Sequence, residues 1–249
     1  MSATAANLVV SAYRFVALDD LTALRQRLFD SGHAVGLKGT VRLAEEGISI
    51  ALSGPAAPLN AWLDELQADP HFAALPLKFS SSDAPTFQRL KVKVKREIIR
   101  IDQPAIAPAS GRAPAVSPTT LARWLEQGSD DAGRPLRLLD TRNAFEVDAG
   151  AFAGAIDWRL AKFSDFPAAL AAHRAELDGA TVVSYCTGGI RCEKAVLVMQ
   201  ALGLTHSHQL DGGILNYFIA TDGAAPGWQG NCVVFDDRGA VNRSLEPAP

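Results

Sequence analysis

One cysteine at the end of an apolar run carries the most chemical information in this sequence. It sits in Thr181-Val-Val-Ser-Tyr185, then Cys186-Thr187-Gly188-Gly189-Ile190-Arg191, then Cys192-Glu-Lys-Ala-Val-Leu-Val-Met. The pattern predicts a buried strand that ends in a glycine-containing loop and turns into a helix, so that backbone N–H groups and the positive end of the helix dipole converge on the Cys186 sulfur. That setting favours thiolate, the nucleophilic form. Gly188 and Gly189 let the loop close, and Arg191 adds a fixed positive charge or anchors the loop. A cysteine after an apolar strand is otherwise a small buried hydrophobe, but an inert one needs neither the glycines nor the arginine. Cys186 is therefore the expected catalytic residue, with Thr187 to Arg191 as its loop. Cys192, in the first helical turn, either resolves an oxidised Cys186 or packs. Cys232 lies far along the chain, and no Cys/His spacing matches a zinc site, so no metal is expected.

A second pattern is basic. Arg89, Lys91, Lys93 and Lys95 alternate with Leu90, Val92 and Val94, and a period of two puts the cations on one face of a strand with the apolar residues toward the core. Such a stripe follows an RNA backbone, or protects a sheet edge against aggregation; the spacing alone leaves both open.

These residues need a scaffold. The 249 residues are 48% apolar and 20% charged, a globular composition with room for two domains. No apolar run approaches membrane-spanning length, and the start, MSATAANLVV, reads as no secretory leader, so the cytoplasm is the expected location. The net charge of −3 excludes a uniformly basic nucleic-acid coat but not a local basic patch. Residues 1–102 alternate strand and helix periods in the order β-α-β-β-α-β with an extra strand, the ferredoxin-like pattern. Residues 103–118, punctuated by Pro104, Pro108, Pro114 and Pro118, read as a semi-extended linker or a wrapping segment. Residues 119–222 alternate strands and helices, which predicts a three-layer α/β domain with a parallel sheet, and residues 223–249 form a C-terminal tail. A helix is expected over Glu193 to Leu202. No G-x-G-x-x-G or Walker motif occurs, so no nucleotide cofactor is expected.

The segments CTGGIRCEKA, LLDTRNAFEV (Leu138 to Val147) and LDGGILNYF (Leu210 to Phe218) resemble a rhodanese domain. With LKGTVRLAEEGIS (Leu37 to Ser49), FQRLKVKVKREI (Phe87 to Ile98) and WQGNCVVFDDR (Trp228 to Arg238), they resemble, in order along nearly the whole chain, the bacterial tRNA uridine hydroxylase family. The resemblance implies a rhodanese-like second domain, Cys186 as catalytic thiolate or persulfide, molecular oxygen as co-substrate, and the anticodon arm of tRNA as partner, with 5-hydroxyuridine at the wobble position as product. It also implies that Asp140 and Arg142 support the sheet near the loop; a surface ion pair is the plainer alternative. Gly47-Ile48-Ser49 stands where the family commonly has Gly-Ile-Asn, and Phe152 where many rhodaneses have His. A cysteine phosphatase would need five residues between cysteine and arginine; here four separate Cys186 from Arg191 and Cys192 takes the arginine's place, which disfavours phosphatase chemistry. The rival readings are a rhodanese-type sulfurtransferase, which gives the basic strand no task, and a non-catalytic RNA-binding protein, which gives Cys186 none.

Overall fold

Val10 and Ala12, Ile48, Ile50 and Leu52, and Val41 and Leu43 recur at every second position and turn one face of each run to a common apolar core, with Val9 and Tyr13 buried on the opposite face of the first. In the computed structural model, which describes residues 7–108 and 112–248, they form a five-stranded sheet. The first six residues, read above as no leader, and residues 109–111 of the proline-rich segment lie outside the described residues. β1 (Asn7–Phe15) pairs antiparallel with β3 (Gly47–Pro55) and β4 (Leu77–Ser82), while β2 (Lys38–Ala44) pairs antiparallel with β3 and parallel with β5 (Leu90–Val94), giving the order β4-β1-β3-β2-β5. Helices α1 (Leu21–Ala34) and α2 (Ala56–Ala68) bring Leu28, Leu59, Trp62, Leu63 and Leu66 into the same apolar core. Asp20 caps α1 by accepting the Ala23 N–H at 3.2 Å. This is the ferredoxin-like plan with β5 added beside β2. The compact unit covers Met1–Ile98 and also takes Phe235–Gly239, whose Asp237 N–H donates to the Thr86 carbonyl at 2.8 Å and whose Arg238 donates to Ser80 Oγ at 2.9 Å.

The second unit, Ile99–Val234 with Ala240–Pro249, holds a parallel sheet in the order β6-β11-β10-β7-β9, built from β6 (Ala115–Val116), β7 (Leu136–Asp140), β9 (Ile156–Asp157), β10 (Thr181–Tyr185) and β11 (Ser207–Leu210). Every residue of β10 is buried, as a central parallel strand requires. Its Val183 and Tyr185 face one apolar cluster with α3 (Pro118–Gln127) and α7 (Gly213–Ala220); Val182 faces another with α5 (Phe166–His173) and α6 (Ile190–Ala201). Helices thus cover both faces. Ser117 caps α3, accepting the Thr120 N–H at 3.1 Å ahead of Pro118.

One local expectation needs correction. The helix after the thiol loop begins at Ile190, not Glu193, because Gly189 at φ 97° turns the chain directly into it. After β7 the chain forms α4 (Ala144–Ala149), β8 (Gly150–Phe152) and β9. The C-terminal segment is structured: β12 (Trp228–Gly230) pairs with β8, and β13 (Cys232–Val233), β14 (Ala240–Val241) and β15 (Pro247–Ala248) form a small antiparallel sheet. Of the described residues of the proline-rich segment, Ala113 and Val116 are buried, and Glu193 accepts from the Ala113 N–H at 2.7 Å and from Gln209 at 2.6 Å. Just before the segment Ile101 is buried, and Lys194 Nζ donates to the Ile99 carbonyl at 2.9 Å. Among the described residues no helix is long and apolar enough to cross a membrane.

Candidate active site

Strand β10 ends at Tyr185, and the next residue, Cys186, has no exposed surface. Its sulfur accepts the Gly189 N–H at 3.2 Å and lies at the N-terminus of α6, where the Arg191 N–H also points at it. Burial opposes ionisation of this thiol. The Cys192 thiol hydrogen-bonded to it, the Arg191 charge and the two N–H groups outweigh burial and lower its pKa to about 5. Cys186 is therefore an anion at neutral pH. Burial and the neighbouring Cys186 charge push Cys192 far the other way, so it stays a neutral S–H donor.

The loop keeps this shape because α7 holds it from behind. The N–H groups of Ile214 and Leu215 donate to the carbonyls of Cys186 and Thr187 at 3.0 and 3.1 Å. Gly213, at φ 68°, comes so close that a Cβ there would stand 2.4 Å from the Cys186 carbonyl oxygen and 2.6 Å from the Gly189 nitrogen. Gly213→Ala should displace the loop and raise the Cys186 pKa by roughly a unit or more, since the N–H donors that favour the anion would be misaligned. Thiolate absorbance followed against pH measures this; an unmoved titration would show that the loop does not depend on Gly213.

Arg191 is itself buried, and both of its terminal nitrogens donate to the Glu146 carboxylate, at 2.6 and 2.7 Å. Burial works against the Glu146 anion, but Arg191 outweighs it and holds the carboxyl below its ordinary pKa. Glu146 also accepts the Asn143 N–H at 3.0 Å in a capping box at the start of α4, and the Thr187 hydroxyl lies 3.4 Å away. Asp140 and Arg142 are wholly buried, not a surface pair. Arg142 donates to the Asp140 carboxylate at 2.6 and 2.9 Å, to the Glu146 carbonyl at 3.2 Å and to the Gly150 carbonyl at 2.6 Å, so the pair ties the end of β7 to the helix that carries Glu146.

The structure thus brings Cys186, Thr187, Gly188, Gly189, Ile190, Arg191 and Cys192 together as predicted neighbours, and adds residues the sequence did not single out. Glu146 is the main one; its sequence signal was the Asn-x-x-Glu spacing of a capping box, Asn143 to Glu146. Cys232 is another. It is buried beside Thr187, and burial pushes its thiol up to about 12. Arg89, Lys91, Lys93 and Lys95 belong to the other unit. There β5 is an edge strand; Leu90 and Val92 pack inward as expected, but Val94 is 43% exposed because the strand runs past the core. Lys93 pairs in register with exposed Arg42 on β2, which extends the basic face by one residue. Among the described residues no group of three or more His, Cys, Asp or Glu is placed to hold a metal ion.

Residues 7–98 match the UPF0176 acylphosphatase like domain and residues 117–220 the Rhodanese-like domain. The tRNA uridine(34) hydroxylase of Bordetella petrii is 59% identical over 96% of this chain and 94% of its own; that of Delftia acidovorans is 58% identical over 96% and 90%. The protein of the same name from Cupriavidus necator is 52% identical over 96% of this chain and 84% of its own. With identity of this order along almost the full length of both partners, and a rhodanese loop closed around an ionised cysteine, the chain belongs to the tRNA uridine(34) hydroxylase family.

Proposed function

We propose that this protein hydroxylates uridine 34 of tRNA to 5-hydroxyuridine, with molecular oxygen as co-substrate, no bound cofactor assigned, and Cys186 as the nucleophile. The observation that carries the role of Cys186 is the place of its sulfur at the N-terminus of α6, where it accepts the Gly189 N–H at 3.2 Å, in a chain of this family. A thiolate adds to C6 of a uracil ring, and the electron pair displaced onto C5 makes that carbon the nucleophile toward oxygen. A neutral thiol would lack this reactivity, which is why the amide cradle and Arg191 matter. The reaction takes place in the cytoplasm, where the tRNA is. Nucleoside mass spectrometry of tRNA from cells with and without the gene tests the assignment: 5-hydroxyuridine should vanish on deletion and return on complementation, and an unchanged level in a strain with no second pathway would contradict it.

The basic face of the first unit supplies the tRNA contact. Arg89, Lys91, Lys93 and Lys95, joined by Arg42, meet successive phosphates of the anticodon arm. Replacing Lys91, Lys93 and Lys95 together by Gln should weaken tRNA binding and lower the slope of log affinity against log salt by roughly 2, as expected for three lost phosphate contacts. The Cys186 titration should not change. Intact binding with increased aggregation would instead mark the lysines as protection for an edge strand, since β5 is one.

A further inference from the structure

Hydroxylation by oxygen leaves an electron account open. One oxygen atom enters C5 and the other becomes water, which takes two electrons that uridine does not provide. Resting on the hydroxylase reading above, we infer that Cys186 and Cys192 supply those electrons as a dithiol that closes to a disulfide once per turnover.

The placement comes from the backbone. Cys186 follows the last residue of β10, and Cys192 sits in the first turn of α6 with its sulfur 3.5 Å from the Thr141 hydroxyl. That hydroxyl donates to the Tyr185 carbonyl at 3.0 Å, and the Thr141 N–H donates to the same oxygen at 3.1 Å, one peptide away from Cys186. Thr141 thereby holds Cys192 against the end of the strand, within hydrogen-bonding reach of the Cys186 sulfur. Both cysteines are free and wholly buried.

The chemistry balances as follows. Cys186 thiolate bonds to C6, and C5 bonds to oxygen, giving a C5 hydroperoxide after one proton is taken up. Cys192 attacks the distal oxygen; the O–O bond breaks, the inner oxygen stays on C5 as hydroxyl, and Cys192 becomes a sulfenic acid. Loss of the C5 hydrogen as a proton expels Cys186 from C6 and restores the aromatic ring. The freed thiolate displaces the hydroxide from the Cys192 sulfur, forming the disulfide and water. Uridine and one oxygen atom are joined, the second oxygen atom leaves as water, and two thiols are oxidised. A thiol reductant of the cell resets the pair.

The resting electrostatics suit this order. Cys192 is kept protonated by burial and by the adjacent Cys186 anion. Bonding of Cys186 to C6 removes that anion while the Arg191 charge remains, so Cys192 ionises more readily at the point where its nucleophilicity is needed. Cys232, also near, is held neutral throughout by burial.

The test is a single turnover. The full-length protein, reduced under anaerobic conditions and freed of reductant, is mixed with unmodified tRNA in aerated buffer. Nucleoside mass spectrometry reads the product, and peptide mass mapping with blocked thiols reads the cysteines. The wild type should form about one 5-hydroxyuridine per chain together with a Cys186–Cys192 disulfide. Cys192→Ser, which keeps a hydrogen-bond donor beside Cys186, should lose that product and regain part of it when a small thiol is added, with the Cys186 thiolate still titrating below the ordinary thiol value; Cys192→Ala should do the same with the Cys186 transition moved upward, since the Cys192 hydrogen bond is one of the forces that lower it. Product formed with both thiols still reduced, a bridge to Cys232, or full single-turnover product from the Cys192 variants would overturn the electron-donor role alone. No product from the wild type even with excess dithiol would instead overturn the hydroxylase reading beneath it.

Discussion

Cys186→Ser should abolish 5-hydroxyuridine formation, by on the order of 10⁴-fold or more as for other lost nucleophiles, while tRNA binding stays at the wild-type level. Serine fits the cradle at the end of β10 and can accept the Gly189 N–H that Cys186 Sγ now accepts at 3.2 Å. Its hydroxyl will not ionise there. The Cys192 hydrogen bond, Arg191 and the amides bring a thiol down to about 5 against its burial, but the same fields act on an alcohol that starts far higher. Complementing a deletion strain with wild type and with Cys186→Ser, followed by nucleoside mass spectrometry, reads the effect. Near-normal product from the serine variant would remove Cys186 from the chemistry.

The second large effect is structural and falls on Glu146. In Glu146→Gln the Arg191 guanidinium stays buried and loses the carboxylate that both of its terminal nitrogens bind, at 2.6 and 2.7 Å, keeping the Cys186 thiolate as its remaining charged neighbour. Removing one partner of a buried ion pair costs about 3–5 kcal/mol, and the Cys186 thiolate keeps the cost near the lower end. Spread over a unit of this size, that is roughly 10 °C in the melting midpoint of the rhodanese-like unit. Arg191→Met should be costly for the same reason in reverse, and should also raise the Cys186 pKa, because the Arg191 charge is one of the forces that lower it. The double variant should be less destabilised than the sum of the two, since neither the carboxylate nor the guanidinium is then left without the other. Calorimetry of the four proteins checks this. Strict additivity would mean that the two residues do not act as a pair.

Cys186, its loop and the basic strand were legible because each is local: a fully buried strand, glycines next to a cysteine, and an alternation that β5 keeps at Leu90 and Val92 and loses at exposed Val94. The N-terminus of α6 was less so. Ser, Thr, Asp or Asn would have announced it, whereas here Gly189 starts the helix with a positive φ and no side-chain cap. Glu146 could be seen as a cap but not as the partner of Arg191, 45 residues later. The same holds for Cys232, which reaches the site only because β12 pairs with β8 and carries β13 alongside. Burial of Glu193 and Lys194 contradicts their polar character until their distant backbone partners, Ala113 and Ile99, are known. Nonlocal pairing of this kind leaves no periodic trace in sequence.

The central claim is that one sulfur is an anion at neutral pH, and a thiolate titration addresses it without needing a reagent to enter the site. Thiolate absorbance of the wild type minus that of Cys186→Ser, followed from acid to alkaline pH, should show one transition centred at about 5, with Cys192 and Cys232 silent through neutrality because burial holds both protonated. A midpoint at or above the ordinary thiol value of about 8.5 would contradict the account.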